Sequence, residues 1–387
     1  MRLSEPRLTP QGEADWDQEI RPYINPWNRP ESEVDNIFKT LARHPKLAKA
    51  WMVFGNHTLH KNSLPERERE IVILRVGWLR QAGYEFGQHR RIGLDIGLTE
   101  AEVEAVAEGA DSPLWSDQDR LLLRAADELF AEQCLGDDTW AGLAAAFDTR
   151  QIMDLHFTYG NYTIVSMVLN SLGVQLDPGL QGLPAGPPPS LRPAVGKTTH
   201  RPARPRIPPL GAAGWDEETR HYINPMDEDE ASVFNVFKTL ANHPKLTKRW
   251  MIFATYILRK TSLPPRDRES AIVRIATLCG SDYEYGHHGR IARDEGVSEA
   301  DIAAIVAGPD DRHWNPADAA MLRAVDELHG DSFIGDGTWA ALCERYDSHQ
   351  LLDFIFTVGN YAMLSTAMNS FGVALEDGFD RLPGVRA

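Results

Sequence analysis

A glutamate and a histidine lie four residues apart at two places in the sequence. The first pair, Glu85 and His89, is in "GYEFGQHRRIG", and the second, Glu284 and His288, is in "DYEYGHHGRIA". On a helix, residues four apart lie one turn apart on one face, so the two side chains can share a proton or face one substrate. A carboxylate that accepts a hydrogen bond from an imidazole orients the ring and raises its basicity. The pattern therefore indicates a candidate site for general acid–base chemistry near neutral pH.

A third acidic residue precedes each pair. Glu70, in "LPERERE", is placed on the polar side of a predicted helix that begins after Pro65, and Glu269 is its counterpart in the second copy. If this helix folds back on the next one, Glu70 supplies a second carboxylate to the site. The competing interpretation is an exposed Glu–His pair without function, since such pairs are common and stabilise a helix by only about 0.2–0.5 kcal/mol.

Divergence between the copies favours a function for these three positions. About half of the positions differ between the two halves, including Gln88 against His287 and Arg90 against Gly289 within the motif itself. The tyrosine, glutamate and histidine of the motif and the upstream glutamate are nevertheless the same in both. Because these residues are unchanged while about half of the others differ, a functional role for them is as well supported as a purely structural one.

The pairs recur because the chain is a tandem duplication. A shift of 199 residues aligns the halves without a gap, so that "WDQEIRPYINP" meets "WDEETRHYINP" and "FTYGNYTIVSMVLNSLGV" meets "FTVGNYAMLSTAMNSFGV". The segment from Asp177 to Gly214 holds ten of the 25 prolines and is interpreted as an extended, semi-rigid linker. We therefore predict five parts: an N-terminal tail (1–15), repeat 1 (16–176), the linker (177–214), repeat 2 (215–377) and a C-terminal tail (378–387).

Each copy has the periodicity of helices. "TEAEVEAVAEG" opens with Thr99 and Glu102 as a capping box, has apolar residues at helical spacing and stops at Gly109. Its twin, "SEADIAAIVAG", begins at Ser298 and ends at Gly308. The stretches "DQDRLLLRAADELFAEQ" and "RQIMDLHFTYGNYTIVSMVLNSLGV" are also typical of amphipathic or buried helices. No series of alternating strands is recognisable, and the sequence predicts an all-α protein of two similar domains.

Composition limits the classes of function. The 387 residues carry a net charge of −16 and a pI near 5.3, which argues against binding nucleic acid, and the basic run "KTTHRPARPR" lies in the predicted linker. No apolar run approaches the roughly 18 residues of a membrane span, and the N-terminus has no secretion signal. Three cysteines without a C-x-x-C spacing fit a reducing compartment. We expect a cytoplasmic protein that acts on a small molecule, without nucleic acid or membrane partners.

The motif resembles the superfamily of carboxymuconolactone decarboxylase and alkyl hydroperoxidase D (AhpD). The resemblance covers both repeats and is strongest from Leu64 to Gly109 and from Leu263 to Gly308. It implies two tandem AhpD-like helical domains that form a fused pseudo-dimer. Single-domain members of the superfamily are typically obligate oligomers, so it also implies self-association, such as a dimer or trimer of tandem chains.

The hydroperoxidase branch of that superfamily has a glutamate, a C-x-x-C pair and a histidine. Its cysteines fall on Ala82 and Glu85 in repeat 1 and on Ser281 and Glu284 in repeat 2, so neither repeat has a thiol there. Cys279 is two positions too early to replace one. Without a thiolate pair, thiol-dependent reduction of peroxide fails on chemical grounds. What remains is similar to the decarboxylase branch, which uses no cofactor.

The resemblance also implies roles for individual residues. The histidines would move a proton at a carbon next to a carbonyl or lactone, oriented by Glu85 and Glu284, while Glu70 and Glu269 polarise the pocket or share the proton. Tyr84 and Tyr283 would hydrogen-bond a developing enolate. The amides on the last helix, Asn161 and Asn360, would bond between helices or line the pocket. The expected catalytic residues are Glu70, Glu85, His89, Glu269, Glu284 and His288, without a metal or cofactor.

Other interpretations stay open at this point. A decarboxylase, an isomerase or another lyase is preferred over a cysteine-independent oxidoreductase of the AhpD type and over a non-catalytic ligand-binding member of the fold. Binding of a metal by the Glu–His cluster is less favoured, because E-x-x-x-H is not the spacing of di-iron helical bundles. His44 and His243 precede prolines and are expected to cap helices. His156, whose partner is Ile355, is interpreted as a core histidine.

Overall fold

The computed structural model describes residues 3–195 and 201–384, which form eighteen α-helices and no β-strand. Repeat 1 has α1 Arg21–Ile24, α2 Asn36–Leu41, α3 Pro45–His60, α4 Glu66–Leu79, α5 Gly83–Asp95, α6 Glu100–Ala105, α7 Asp117–Ala131, α8 Asp137–Ala146 and α9 Thr149–Leu172. Repeat 2 has α10 Glu217–Ile223, α11 Asn235–Leu240, α12 Pro244–Arg259, α13 Pro265–Leu278, α14 Asp282–Asp294, α15 Glu299–Ala307, α16 Pro316–Asp331, α17 Asp336–Cys343 and α18 Ser348–Phe371. Five short 3-10 turns lie between them. The prediction of an all-α fold with two similar domains is confirmed.

Local sequence signals place several helix ends. The Thr99 capping box begins α6 and the one at Ser298 begins α15, since each hydroxyl accepts from the third backbone N–H and each N3 carboxylate accepts in return. Helix α15 stops before Gly308 as predicted, but α6 ends at Ala105, and Gly109 lies in a 3-10 turn. His44 and His243 are the N-cap residues of α3 and α12.

Helix α4 lies at the centre of repeat 1, and α13 has the same place in repeat 2. All side chains of α4 from Arg69 to Leu79 are buried, because the helix packs against α5, α7 and α9 at once. The expectation that Glu70 lies on a polar outer side is wrong, since its exposed fraction is 0%. A charged side chain in the interior requires hydrogen-bonding or oppositely charged partners beside it.

The two repeats meet along α9 and α18, which form the core of the pseudo-dimer. Glycines allow the helices to approach closely. A Cβ atom at Gly160 would lie 2.6 Å from Cβ of Met363, and one at Gly359 would lie 2.8 Å from Cγ1 of Ile164. Aromatic rings extend the contact on either side, as where Phe54 and Phe253 stack 5.9 Å apart. The expected fused pseudo-dimer is confirmed as an arrangement within one chain.

The ends of each repeat extend further than the sequence boundaries. Arg7 reaches across to repeat 2, where its guanidinium donates to Ile334 O at 2.7 Å and to Asp336 at 2.6 Å. Arg206, 199 positions later, donates to Leu135 O at 2.8 Å in repeat 1. The structured part of the predicted N-terminal tail and the second part of the predicted linker are therefore equivalent arms, each of which clasps the opposite repeat.

Helix α18 is, among the described residues, the one helix long and apolar enough to cross a membrane. All of the apolar window is buried inside the protein. Its composition is accounted for by its place between the two repeats, where it packs against α9 and α13.

Candidate functional site

A tight helical hairpin brings the motif residues together. Helices α4 and α5 are joined by only three residues, and the middle one, Gln81, adopts a left-handed backbone conformation with a φ of 54°. Gly280 has the same role in repeat 2, with a φ of 57°. The turn reverses the chain so that α5 packs back along α4. Residues of the first helix consequently face the Glu–His pair of the second.

Glu70 is the partner of His89. Its Oε2 atom lies 2.6 Å from Nδ1 of the imidazole, and its Oε1 atom accepts from Nε of Arg69 at 3.1 Å. Burial on its own would raise the pKa of Glu70, but the adjacent imidazole and guanidinium outweigh it and hold the pKa below the ordinary value. Glu70 is therefore a carboxylate at neutral pH. An ionised acceptor at Nδ1 places the ring proton there and leaves Nε2 with its lone pair.

Glu85 has the opposite electrostatic character. Its side chain is buried, Ser166 donates to Oε2 at 3.0 Å, and Oε1 has no hydrogen-bond partner among the described residues. Burial raises the pKa of Glu85 well above the ordinary value, and the opposing effects of Ser166 and Arg80 are smaller. The surroundings therefore shift the pKa values of the two glutamates in opposite directions. The lowered pKa of Glu70 favours the carboxylate, and the raised pKa of Glu85 favours the neutral acid.

Repeat 2 has the same arrangement with different detail. Glu269 lies 2.7 Å from Nδ1 of His288 and accepts from Arg268 at 2.7 Å. Glu284 lies 3.7 Å from the other ring nitrogen, Nε2, and burial raises its pKa. The hydroxyl of Ser365, the counterpart of Ser166, is buried without a hydrogen-bond partner among the described residues. Here the second carboxyl faces the free nitrogen of the imidazole directly.

The expected division of roles between the glutamates is reversed. The four-residue spacing suggested that Glu85 orients His89, but the contact to the ring is made by Glu70, nineteen positions earlier. Helix α5 turns Glu85 toward α9, where it meets Ser166. Contacts between α4, α5 and α9 decide this, and the spacing within α5 alone does not show it.

A tyrosine that the sequence analysis passed over completes each cluster. The ring of Tyr162 stands at 86° to the imidazole of His89 with centroids 4.7 Å apart, and Tyr361 makes the same contact with His288 at 4.5 Å. Burial raises the pKa of both phenols well above the ordinary value, so each stays a neutral donor. The signal was present, because "GNY" occurs in the last helix of both copies.

The tyrosines of the motif itself have other partners. The hydroxyl of Tyr84 donates to Asp177 and accepts from the backbone N–H of Ile37 at 3.3 Å. Tyr283 donates to Glu376 at 3.2 Å in the same way. These bonds fasten the chain that follows α9 or α18 onto α5 or α14. A role of these two hydroxyls toward an enolate stays a prediction, and the described contacts do not favour it.

The asparagines of the last helices are hydrogen-bonded within the core. Asn161 accepts from Nε1 of Trp51 at 2.9 Å and donates to Thr58 at 2.9 Å. Asn360 accepts from Nε1 of Trp250 at 3.2 Å, while its Nδ2 is buried without a hydrogen-bond partner among the described residues. The interhelical bonding foreseen as one option is what the structure has at Asn161. Contact of either residue with a substrate stays a prediction.

The cysteines and His156 lie in other surroundings. Cys279 lies 3.6 Å from Gln133 and 3.9 Å from His329, and burial raises its pKa to about 12. It is therefore a thiol at neutral pH. His156 packs against Phe371, its Nδ1 lies 2.9 Å from Ile152 O, and burial lowers its pKa to about 4. Its neutral ring fits the interpretation of a core histidine.

Comparison with known proteins finds a family to which part of each repeat is similar. The model of the carboxymuconolactone decarboxylase family matches residues 45–128 and 244–327. A search of curated protein sequences gives no match. Among solved structures, a protein of unknown function from Agrobacterium tumefaciens is similar at 22% identity and a TM-score of 0.34, over 35% of this chain and 94% of that one. The AhpD core of a peroxidase-related protein from Ralstonia eutropha is similar at 19% identity and a TM-score of 0.41, over 45% of this chain and 93% of that one. The two matched segments occupy equivalent positions, so each repeat contains a segment that is similar to the carboxymuconolactone decarboxylase family.

Proposed function

We propose that the protein is a cofactor-free acid–base enzyme with one active site in each repeat. Its substrate is a small carbonyl compound or lactone that carries a carboxylate, and its reaction is a decarboxylation or an isomerisation. The observation that carries the proposal is the contact of each histidine with one glutamate of lowered pKa, Glu70 or Glu269, next to a second buried glutamate of raised pKa, Glu85 or Glu284. The similarity of both repeats to the carboxymuconolactone decarboxylase family supports a reaction of this type.

The proposed chemistry uses the free nitrogen of the imidazole as the base. Glu70 accepts a hydrogen bond from the Nδ1–H group of His89, which leaves Nε2 as the base. Nε2 removes a proton from the carbon next to the carbonyl, and the electron pair of that C–H bond moves into an enolate. The neutral Glu85 carboxyl supplies a hydrogen bond or a proton to the enolate oxygen. In an isomerisation the imidazolium returns the proton to a different carbon. In a decarboxylation the C–C bond to the carboxylate breaks to give CO2 and the enolate, and an imidazole that has taken a proton from solvent at Nε2 delivers that proton to carbon.

Arg69 supplies the charge that would hold an anionic substrate. Its Nε donates to Glu70, and it lies beside the His89 cluster with an exposed side-chain fraction of 7%. A planar guanidinium binds a carboxylate through two parallel hydrogen bonds. In repeat 2, Nη2 of Arg268 lies 3.8 Å from Glu295, and the residue at the equivalent position of repeat 1 is Ile96. Repeat 1 therefore offers the more positive site to a carboxylate.

Self-association of the tandem chains is part of the proposal. Trp27 and Met226 occupy equivalent positions in the two repeats and are 70% and 79% exposed. A contact between chains at these two positions would remove both apolar side chains from water. We expect a dimer or trimer of chains, which light scattering on the wild-type chain and on a Trp27→Glu/Met226→Glu variant would test. A wild-type monomer would contradict this part.

The function is tested by turnover of a panel of β-keto acids and carboxylated lactones, followed by mass spectrometry. Single variants His89→Gln and His288→Gln are each expected to keep part of the activity, and the double variant to lose it. Alkylation of the thiols is expected to leave turnover unchanged, since no cysteine belongs to either cluster. Binding of a panel compound without product, together with loss of affinity alone in the variants, would instead identify a non-catalytic binding protein.

A further inference from the structure

A second group of titratable side chains lies between the two repeats, apart from the acid–base clusters. His57 projects from α3, Asp154 from α9, and His243 from the N-cap position of α12, so that both repeats contribute. The exposed fractions of the three residues are 0%, 1% and 3%. Nothing in the proposed reaction uses them. Their residue types are those that bind transition metals in proteins.

The three side chains converge on one point. Nε2 of His57 lies 2.7 Å from Oδ1 of Asp154, and Nε2 of His243 lies 3.0 Å from Oδ2. One nitrogen or oxygen atom of each residue lies within 4.8 Å of those of the other two. Ser63 donates to Oδ2 through its backbone N–H at 2.7 Å and its hydroxyl at 2.6 Å, which fixes the orientation of the carboxylate. Such outer hydrogen bonds are usual around a carboxylate ligand of a metal.

The equivalent group of side chains, related by the shift of 199 residues, has a different composition. There Tyr256 replaces His57, and its hydroxyl donates to Asp353 at 3.0 Å and lies 3.1 Å from Nε2 of His44. That network satisfies its groups by hydrogen bonds alone. In the first cluster, the Nδ1 atoms of His57 and His243 are both buried without a hydrogen-bond partner among the described residues. In the described part of the chain no hydrogen bond at Nδ1 fixes the tautomer of either ring, so each Nε2 can act as a ligand atom when the proton is on Nδ1.

We propose that His57, Asp154 and His243 bind one divalent transition-metal ion of the Zn²⁺ class, which links the two repeats of the chain. Two imidazole nitrogens and one carboxylate oxygen suit an ion of borderline softness. Bonds of about 2.0–2.2 Å in a tetrahedral arrangement separate the ligand atoms by about 3.4 Å. The two histidine–aspartate contacts have to widen by less than about 1 Å to admit it. Because the cluster is buried, the ion is structural, and the chain holds one such site rather than two.

The test uses the full chain, first stripped with a chelator and then equilibrated with Zn²⁺ or Co²⁺. Elemental analysis is expected to find one equivalent of metal per chain, and the Co²⁺ form to show the visible absorption of a four-coordinate site without the intense charge-transfer band of a thiolate. A wild-type chain that retains less than about a tenth of an equivalent would overturn the proposal. The three side chains would then form only a hydrogen-bonded contact between the repeats.

The chain supplies its own matched variants. His57→Tyr introduces the residue that repeat 2 has at this place, so the fold is expected to tolerate it while the bound metal falls at least tenfold. Retention of a full equivalent in this variant would place the metal elsewhere and refute the assignment. If His57→Tyr does not fold, Asp154→Asn is used in its place. Its metal content and its absorption with Co²⁺ are then compared with those of the wild type. Tyr256→Phe serves as the control for a substitution at the equivalent position, since it leaves the first cluster intact, adds no ligand atom and must retain one equivalent of metal.

Discussion

Oε2 of Glu70 lies 2.6 Å from Nδ1 of His89, although the two residues are nineteen positions apart. This contact determines which nitrogen of the imidazole is available. Because the carboxylate accepts a hydrogen bond from Nδ1, the neutral form of the ring has its lone pair on Nε2, while burial raises the pKa of Glu85, the second acid. Glu269 makes the same contact with His288, so the chain has one candidate site in each repeat.

Replacement of Glu70 by glutamine is expected to lower kcat of the repeat 1 site by about 10²–10⁴-fold, because an amide can also present its N–H to the ring and favours the wrong tautomer. The effect is measured in a His288→Gln background, so that only repeat 1 turns over. Glu66→Gln is the matched control, since Glu66 lies one helical turn earlier on α4 and is exposed. Equal kcat in the Glu70 variant and the control would show that Glu70 does not position the histidine.

The buried neutral glutamates should make stability depend on pH. In the folded chain Glu85 keeps its proton above the ordinary pKa of 4.5, while in the unfolded chain it releases it, and Glu284 behaves in the same way. The free energy of unfolding therefore falls as the pH rises above 4.5, by about 1.4 kcal/mol per pH unit and site, until the pKa of the folded state is reached.

The variant Glu85→Gln/Glu284→Gln removes this dependence, so its stability relative to the wild type is expected to increase as the pH rises above 4.5. Urea denaturation at several pH values gives the difference in free energy, and titrations elsewhere in the chain cancel in it. Glu33→Gln, at an exposed position, is the control and should show a constant difference. A constant difference in the double variant as well would mean that the buried carboxyls are ionised.

The Glu295 carboxylate beside Arg268 should make repeat 2 bind an anionic substrate more weakly than repeat 1. Glu295→Ile is expected to strengthen binding of an anionic substrate at repeat 2, and Ile96→Glu to weaken it at repeat 1, because the added or removed carboxylate acts on Arg268 or Arg69. A change of about 1 kcal/mol corresponds to roughly fivefold in KM. The methyl ester of the same substrate is the control, since it lacks the charge. Equal shifts for acid and ester would exclude an electrostatic role.

The crossing of α9 and α18 should not tolerate a larger residue. Gly359→Ala puts a methyl group 2.8 Å from Cγ1 and 3.2 Å from Cα of Ile164, and is expected to lower the free energy of unfolding by about 1–3 kcal/mol. Gly337→Ala on α17 is the control, because its Cβ meets no heavy atom within 4 Å and the substitution should be neutral or stabilise by up to about 1 kcal/mol. Urea denaturation measures both. Equal stability of the two variants would mean that the helices can separate at no cost.

Much of the local structure could be predicted from the sequence, because it is encoded by neighbouring residues. The capping boxes at Thr99 and Ser298 and the long, largely apolar sequence of α9 are of this kind. The grouping of Glu70, Glu85 and His89 could also be foreseen, since their retention in both repeats marked them and a short connection had to fold one helix on the other.

The pairing of these residues could not be foreseen, because it depends on contacts between distant segments. The left-handed turn at Gln81 sets which face of α5 meets α4, and so whether Glu70 or Glu85 reaches the imidazole. His243 was expected only to cap a helix, yet it also contacts Asp154 of the other repeat. Arg7, assigned to a tail, bonds to residues more than three hundred positions away. No local pattern specifies such partners.

Incorporation of deuterium from D2O into a panel substrate tests the central claim most directly, because it follows the proton that His89 and His288 are proposed to move. The wild-type chain is expected to exchange or deliver deuterium at the carbon next to the carbonyl, each single histidine variant to do so more slowly, and His89→Gln/His288→Gln to do so no faster than buffer. Exchange at the wild-type rate in the double variant would contradict the account, as would a substrate that is converted without any deuterium at that carbon.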